Sequence, residues 1–327
     1  MKISILIASK DEEKYIEKCL DSLIEQDFPK NEYEILVIDG KSKDRTREIV
    51  NEIIKKNKKS NIRLLHNEKI IPPAAWEVGL ENARGEFILI FGSHSTAPKD
   101  FLKKNWETWE KYNKKISDLA GVGGRYIIKE FENFTQKLGY VLLNSFFSGS
   151  SGHKRIETTR ETKTIVFGMY KKEIIKKIGG FDDDLKIGGD LEINLRLNKL
   201  RYKLITNPNI EFDYYPRSDF KKMLKQIWNY GIAKGLFLRK GYFIPKAIIA
   251  PLFLVYFLGL LLFSDLLVYI IPILVYVILN FLFSIYNSIK HGEIRFLITL
   301  PLLYFYVHLS SGISIILGYL IKQEGYL

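Results

Sequence analysis

The chain opens with a short apolar run, Lys2–Ala8 (KISILIA), and then changes period. From Asp11 to Glu25 the apolar positions Tyr15, Ile16, Cys19, Leu20 and Leu23 recur at helical spacing. Two more strand-and-helix pairs follow, Tyr33–Ile38 with Lys43–Lys58 and Ile62–Leu65 with Ala74–Ala83, and Glu86–Phe91 reads as a fourth strand. Strands alternating with helices of this length predict βαβ units and a parallel sheet, an α/β fold. The pattern is more mixed beyond Phe91. Gly121–Ile128 and Thr164–Tyr170 read as strands, Asp190–Leu200 as a helix, and Ile210–Tyr215 as a last extended piece.

After Tyr242 the alternation stops and long uncharged runs take over. Lys246 to Asp265, Asp265 to Lys290 and Arg295 to Lys322 enclose stretches with no charge. A bilayer core needs about 20 apolar residues per helix. The runs therefore predict three transmembrane helices, at about 246–264, 266–287 and 296–321. Arg239, Lys240 and Lys246 precede the first span, and Lys290 and Arg295 separate the second from the third. The bias of Lys and Arg to the cytoplasmic side places both groups, and the soluble part, inside. His308 lies in the third span, where it either faces a lipid-linked substrate or takes a hydrogen-bonded packing role.

Charge sharpens this division. Formal net charge is +12. Residues 243–327 hold four Lys/Arg and three acids, so a net +11 sits in residues 1–242. A basic front beside an apolar tail points to a membrane surface or a phosphorylated substrate. No nucleic-acid-binding module is present in the sequence, and nucleic acid is not an expected partner. The single cysteine, Cys19, falls on the apolar stripe of its helix and reads as core. Ile3–Ala8 is too short for a secretory signal and charges follow it at once. The expected organisation is a domain over 1–215, a basic amphipathic interfacial segment over 216–242 and a transmembrane domain over 243–327.

Parallel sheets bind ligands at the carboxyl ends of their strands. The residues due there are Ser9-Lys10-Asp11-Glu12, Asp39-Gly40-Lys41-Ser42-Lys43-Asp44 and Gly92-Ser93-His94-Ser95. Each has a structural reading beside a functional one. Asp39, Asp44 and Ser42 suit the start of a helix, Glu12 suits a first helical turn, and Asp190 suits the N-terminal end of its helix dipole. Glu192 and Arg196, four apart, are spaced to pair.

Four blocks carry a resemblance: ISILIASKDEEKYIEKCLDSL (Ile3–Leu23), EILVIDGKSKDRT (Glu34–Thr46), PPAAWEVGLENARGEFILIF (Pro72–Phe91) and GGFDDDLKIGGDLEINLRL (Gly179–Leu197). In this order they resemble the inverting family 2 glycosyltransferases, and the match covers nearly all of residues 1–200. The resemblance implies a Rossmann-like GT-A nucleotide-sugar domain, followed here by interfacial helices and the three spans. It implies a UDP- or GDP-linked sugar donor, a polyprenyl-linked acceptor and a multi-pass place in the cell membrane with the catalytic domain cytoplasmic. Residue by residue, it implies that Asp39 meets the nucleobase, that Ala8, Glu12 and Asp44 line the nucleoside and that Ser93 contacts the donor. Asp190 is then the catalytic base. Arg217 holds a phosphate of donor or acceptor; it lies before Gln226, Trp228 and Tyr230, which resemble a degenerate acceptor motif.

The sequence also departs from the family. Strand four usually ends in Asp-x-Asp, which holds a divalent metal against the diphosphate. Here the residues are Gly92-Ser93-His94, similar to the Asp-Ala-His of succinoglycan-type enzymes. His94 becomes the candidate metal ligand, for Mn²⁺ more readily than for Mg²⁺, with direct contact to the diphosphate or simple packing as alternatives. The usual Glu-Asp pair becomes Gly189-Asp190. Three functions remain open: transfer onto a lipid-linked oligosaccharide, charging of a polyprenyl monophosphate, and a scaffold of this fold without activity.

Overall fold

The computed structural model describes residues 1–128, 130–149, 156–260 and 267–321. In chain order the elements are β1 (Ile3–Ser9), α1 (Ile16–Ile24), β2 (Tyr33–Asp39), α2 (Thr46–Lys56), β3 (Ile62–His66), α3 (Pro72–Asn82) and β4 (Phe87–Gly92). There follow β5 (Ser95–Thr96), α4 (Phe101–Asn113), β6 (Leu119–Ile127), α5 (Phe134–Asn144), β7 (Arg160–Thr162) and β8 (Val166–Lys171). The last are α6 (Lys172–Lys177), α7 (Gly189–Lys199), β9 (Lys203–Tyr214), α8 (Phe220–Arg239), α9 (Lys246–Leu260), α10 (Leu267–His291) and α11 (Phe296–Leu320). They divide into two units, residues 1–130 with 153–215, and residues 131–152 with 216–327.

The first unit is built on one mixed sheet in the order β3-β2-β1-β4-β8-β6-β9-β5, with β7 paired to β9. β1, β2, β3 and β4 are parallel, as the alternation predicts, whereas β8 runs antiparallel to both β4 and β6. Central strands buried on both faces read as unbroken apolar runs, and the side chains divide by parity. Ile3, Ile5 and Ile7 join one core with Cys19, Leu20 and Phe101, while Leu6, Leu36 and Ile38 join the other with Ala75, Ile193 and Leu197. Cys19 is fully buried, and burial pushes its thiol pKa well above the ordinary value, so it is packing and not chemistry.

In this sheet β1 lies between β2 and β4, so the chain goes to opposite sides on leaving and on returning to it. Such a switch point opens a crevice at the strands' carboxyl ends. Register aligns the candidates there: Ser9 is level with Asp39, and Ala8 with Gly92.

The second unit holds α5 and α8 to α11. The structure corrects the expected number of spans: two described helices are long and apolar enough to cross a membrane, Tyr269–His291 and Phe296–Leu320. The first predicted span, 246–264, gives a described helix of 15 residues. At 1.5 Å per residue it reaches about 22 Å, short of a roughly 30 Å hydrocarbon core; the rest of that span lies outside the described residues. Within Tyr269–His291 the most apolar stretch is 11% buried, so its side chains face outward, unlike those of a core helix.

Segment 216–242, expected to be interfacial, forms α8, which packs closely against α11. A Cβ on Gly231 would fall 1.8 Å from Ser314 Oγ, and one on Gly235 2.1 Å from the Ile315 carbonyl oxygen. Glycine four residues apart lets the two backbones approach. His308 resolves to packing: its Nε2 lies 2.7 Å from the Phe147 carbonyl, to which it donates, and its Nδ1 accepts from Tyr276 Oη at 2.9 Å.

Candidate functional site

The site is assembled at the crevice of the first unit. Asp39 ends β2 and is 1% exposed. Its Oδ2 accepts from Ser42 N at 3.2 Å and stands 3.7 Å from Arg47 Nε, while Oδ1 is buried with no hydrogen-bond partner. An acceptor held in the fold with one unused oxygen is costly unless a ligand donates to it. Arg47, in the first turn of α2, was not singled out from the sequence; its signal was a basic residue two positions into a helix that starts behind the Asp39 loop.

Asp44 is used by the fold. Its Oδ1 accepts from Thr46 N at 3.0 Å and from Thr46 Oγ1 at 2.5 Å, and its Oδ2 accepts from Glu13 N at 3.0 Å. Burial acts to raise its pKa, but these hydrogen bonds outweigh it and hold the carboxyl below the usual range. Asp44 thus satisfies the start of α2 and ties it to the β1–α1 loop, the structural alternative that its sequence position allowed. Asp11, with φ +54°, completes this tie by accepting from Lys43 N at 2.8 Å.

Glu12 and His94 meet: Glu12 Oε1 lies 3.2 Å from His94 Nδ1, with both side chains mostly buried. The His94 ring also makes an edge contact with Tyr214, and its carbonyl accepts from Tyr215 N at 3.1 Å. Ser93 beside it is 3% exposed, and Ala8 is half-buried at the end of β1. At Gly92 a Cβ would lie 2.5 Å from Phe167 Cζ, so a side chain there would require that ring to shift. Phe167 was not anticipated. It holds φ +47° and is kept there by stacking on Phe212 at 4.4 Å and by Phe91 at 5.1 Å.

No group of three His, Cys, Asp or Glu side chains is arranged to hold a metal among the described residues. Glu12 and His94 together offer a carboxylate oxygen and an imidazole nitrogen. That pair fits one side of a divalent ion's shell, with phosphate oxygens and water left to supply the rest.

Asp190 opens α7 after two glycines with distinct tasks. Gly188 has φ +79°, which favours glycine. Gly189 is packed so closely that a Cβ would sit 2.3 Å from Pro73 Cγ, so a larger side chain has no room there. This contact places the start of α7 against the start of α3, at the same sheet edge as Asp39. The Ile70 carbonyl just before α3 would lie 3.2 Å from a Cβ on Gly40. Asp190 is open to solvent but sits in a dense surround. That desolvation raises its carboxyl above the ordinary value, while the amides of Leu191 and of Asp190 itself act in the opposite direction.

Asn194 fixes the helix, donating to the Asp190 carbonyl at 2.7 Å and to the Ile165 carbonyl at 3.1 Å while accepting from Tyr170 Oη at 3.2 Å. Glu192 and Arg196 pair at 2.9 Å as spaced, and Arg196 also donates to the carbonyls of Ile178 and Gly180, pinning the glycine turn before α7. The acidic run is engaged as well: Lys69 reaches Asp183 and Asp184 at 2.7 and 2.8 Å. Arg217, half-buried, belongs to the second unit.

Comparison with known proteins adds three findings. The profile for glycosyl transferase family 2 matches residues 4–179. A dolichyl N-acetyl-alpha-D-glucosaminyl phosphate 3-beta-D-2,3-diacetamido-2,3-dideoxy-beta-D-glucuronosyltransferase of Methanococcus voltae is 44% identical over 239 residues, 73% of this chain and 74% of that one. The succinoglycan biosynthesis protein ExoA of Rhizobium meliloti is 23% identical over 69% of this chain and 67% of its own length. Among solved structures, the mannosyltransferase PcManGT of Pyrobaculum calidifontis, in complex with GDP-Man and Mn²⁺, superposes with a TM-score of 0.54 at 19% identity. That alignment covers 71% of this chain and 63% of that one, and it shows a shared fold.

Proposed function

Because the chain belongs to glycosyl transferase family 2 and is a glycosyltransferase, we propose that it moves a sugar from a nucleotide donor to a sugar carried on a polyprenyl phosphate at the membrane surface. The observation that carries this reading is Asp190: a solvent-reachable carboxylate at the start of α7, on the same sheet edge as the buried, unsatisfied Oδ1 of Asp39.

In this mechanism Asp39 Oδ1 accepts a hydrogen bond from the nucleobase, with Ala8 and Ser93 lining the donor beside it. Asp44 acts indirectly, by holding the loops that form the nucleoside cradle. Asp190 removes the proton from the acceptor hydroxyl as its oxygen bonds to the anomeric carbon. The bond from that carbon to the diphosphate breaks on the opposite face, so the configuration inverts. Raised basicity suits this task, since a base works best when its pKa approaches the working pH. Glu12 and His94 would hold a divalent cation, which supplies positive charge to the departing diphosphate.

The name of the Methanococcus voltae relative describes transfer to a dolichyl phosphate-linked N-acetylglucosamine, and we extend that acceptor class to this chain. α10 and α11 are then membrane spans, with the first unit in the cytoplasm. Exposed Lys221, Lys222 and Lys225 at the start of α8 meet anionic headgroups, and Arg217 beside them meets a phosphate. Supplying UDP- and GDP-linked labelled sugars with polyprenyl-phosphate N-acetylglucosamine tests the reading: label should enter the organic phase. No transfer from any nucleotide sugar to any lipid-linked acceptor would contradict it.

A further inference from the structure

Among the described residues, five other than glycine have a positive φ: Asp11, Lys41, Ile70, Phe167 and Arg201. Four of them stand at the carboxyl ends of the parallel strands. Asp11 follows β1, Lys41 follows β2, Ile70 lies between β3 and α3, and Phe167 sits against Gly92 at the end of β4. Strained backbone gathers at ligand sites and persists only where its surroundings fix it. Aspartate tolerates this region, and Phe167 is held by its ring stack. Ile70, at φ +68°, is β-branched and needs its own account.

The loop fixes Ile70 from both sides. Buried Asn67 donates from its amide to the Asp39 carbonyl at 2.9 Å and from Nδ2 to the Ile71 carbonyl at 2.9 Å. Lys69 is tied to Asp183 and Asp184. The Ile70 carbonyl oxygen and Cα would lie 3.2 and 3.4 Å from a Cβ on Gly40, so this backbone rests on the residue that follows Asp39. The side chain is different: it is 36% exposed and belongs to neither hydrophobic core of the first unit. Glycine or asparagine would take the same φ with less strain.

An apolar side chain held beside Asp39 complements one part of a nucleotide donor. A nucleobase has apolar faces and a polar edge. The buried Oδ1 of Asp39, with no hydrogen-bond partner, suits an N–H on that edge, which leaves a face to be covered. We propose that Ile70 is the apolar wall of the nucleobase site: one face of the base lies on the Ile70 side chain while its edge meets Asp39. This assignment rests on the reading of the chain as a nucleotide-sugar enzyme and adds to it a residue that touches the donor.

The full chain, purified in detergent, is titrated by calorimetry with UDP, with GDP and with inorganic pyrophosphate, and its thermal midpoint is recorded without ligand. Ile70→Asn and Ile70→Gly should melt no lower than the unaltered protein. Both should bind the tighter of the two nucleotides about fivefold more weakly, through lost apolar contact, and bind pyrophosphate unchanged. Ile70→Leu, which keeps an apolar side chain, should keep the nucleotide affinity. Equal nucleotide affinity in Ile70→Asn, Ile70→Gly and the unaltered protein would overturn the wall. So would an equal loss for pyrophosphate, the mark of a distorted site. A lower midpoint in both variants, or failure of both to fold, would show that the fold uses the side chain and would overturn it as well. Failure of the donor reading has a different mark: neither UDP nor GDP binds the unaltered protein, and the wall falls with it.

Discussion

The ring of Phe167 stands where a side chain on residue 92 would have to go, with Cζ 2.5 Å from the position of a Cβ on Gly92. A side chain at position 92 would therefore need the Phe167 ring to move. β8 delivers an aromatic ring to the end of β4. Gly92→Ala should destabilise the protein by about 1–3 kcal/mol, the usual cost of overpacking. Adding Phe167→Ala should recover part of that loss, because the two changes share one space. Denaturant midpoints of the two single variants and the double variant measure the coupling; strict additivity would show that the ring is not the obstacle.

Asp39 should matter to donor binding and not to folding. Its Oδ1 lies unpaired in the protein, so Asp39→Asn removes an acceptor that only a ligand would use. Nucleotide affinity by calorimetry should fall roughly 10- to 100-fold, the worth of a charged hydrogen bond. Unchanged affinity would detach Asp39 from the donor.

The Glu12–His94 pair predicts dependence on a divalent ion. Chelator should lower transfer, Mn²⁺ should restore it better than Mg²⁺ because one donor is imidazole, and His94→Ala should lose the restoration. Direct calorimetric titration of Mn²⁺ into the protein with nucleotide gives a readout apart from activity. Full transfer in chelator, lost in His94→Ala, would assign His94 to the diphosphate itself.

α8 and α11 should separate if their glycines are filled. Gly235→Leu places a side chain against the Ile315 carbonyl, 2.1 Å from its first carbon, and should lower the thermal midpoint and increase proteolysis within residues 216–242. A silent substitution would show that the two helices do not rely on close approach.

Much of the first unit is legible in the sequence because its central strands are apolar without interruption. β1, β2, β3 and β4 begin and end within a residue or two of where the runs do. α4 is less legible: Phe101, Leu102, Asn105 and Trp109 form a helical stripe that the structure buries, but the lysines and glutamates between them mask the period. The Glu12–His94 contact and the Phe167 obstruction join residues 82 and 75 apart in sequence, and nothing local announces such pairings. The role of Asp44 depended on which amides lay within reach, so sequence left it open. In the tail, absence of charge measures apolarity but not helix length: the span expected at about 246–264 has a described helix of 15 residues, Lys246–Leu260.

Asp190 should also leave a mark on stability. Its carboxyl titrates above the ordinary value because desolvation disfavours the charged form. An acid whose folded pKa is raised favours the fold below its unfolded pKa and loses that contribution as pH rises through the folded value. Asp190→Asn should therefore melt higher than the unaltered protein at neutral pH, and the difference should close as pH falls below the ordinary carboxylate range. Transfer by the unaltered enzyme should decline on the acid side at a pH above that range.

The most direct measurement is single-turnover transfer of labelled sugar to the lipid-linked acceptor by the unaltered chain and by Asp190→Asn, each saturated with donor nucleotide. The account predicts that the variant binds nucleotide normally and transfers at least about 10³-fold more slowly, as befits loss of a general base in the reacting complex. Equal transfer by the two proteins would contradict it.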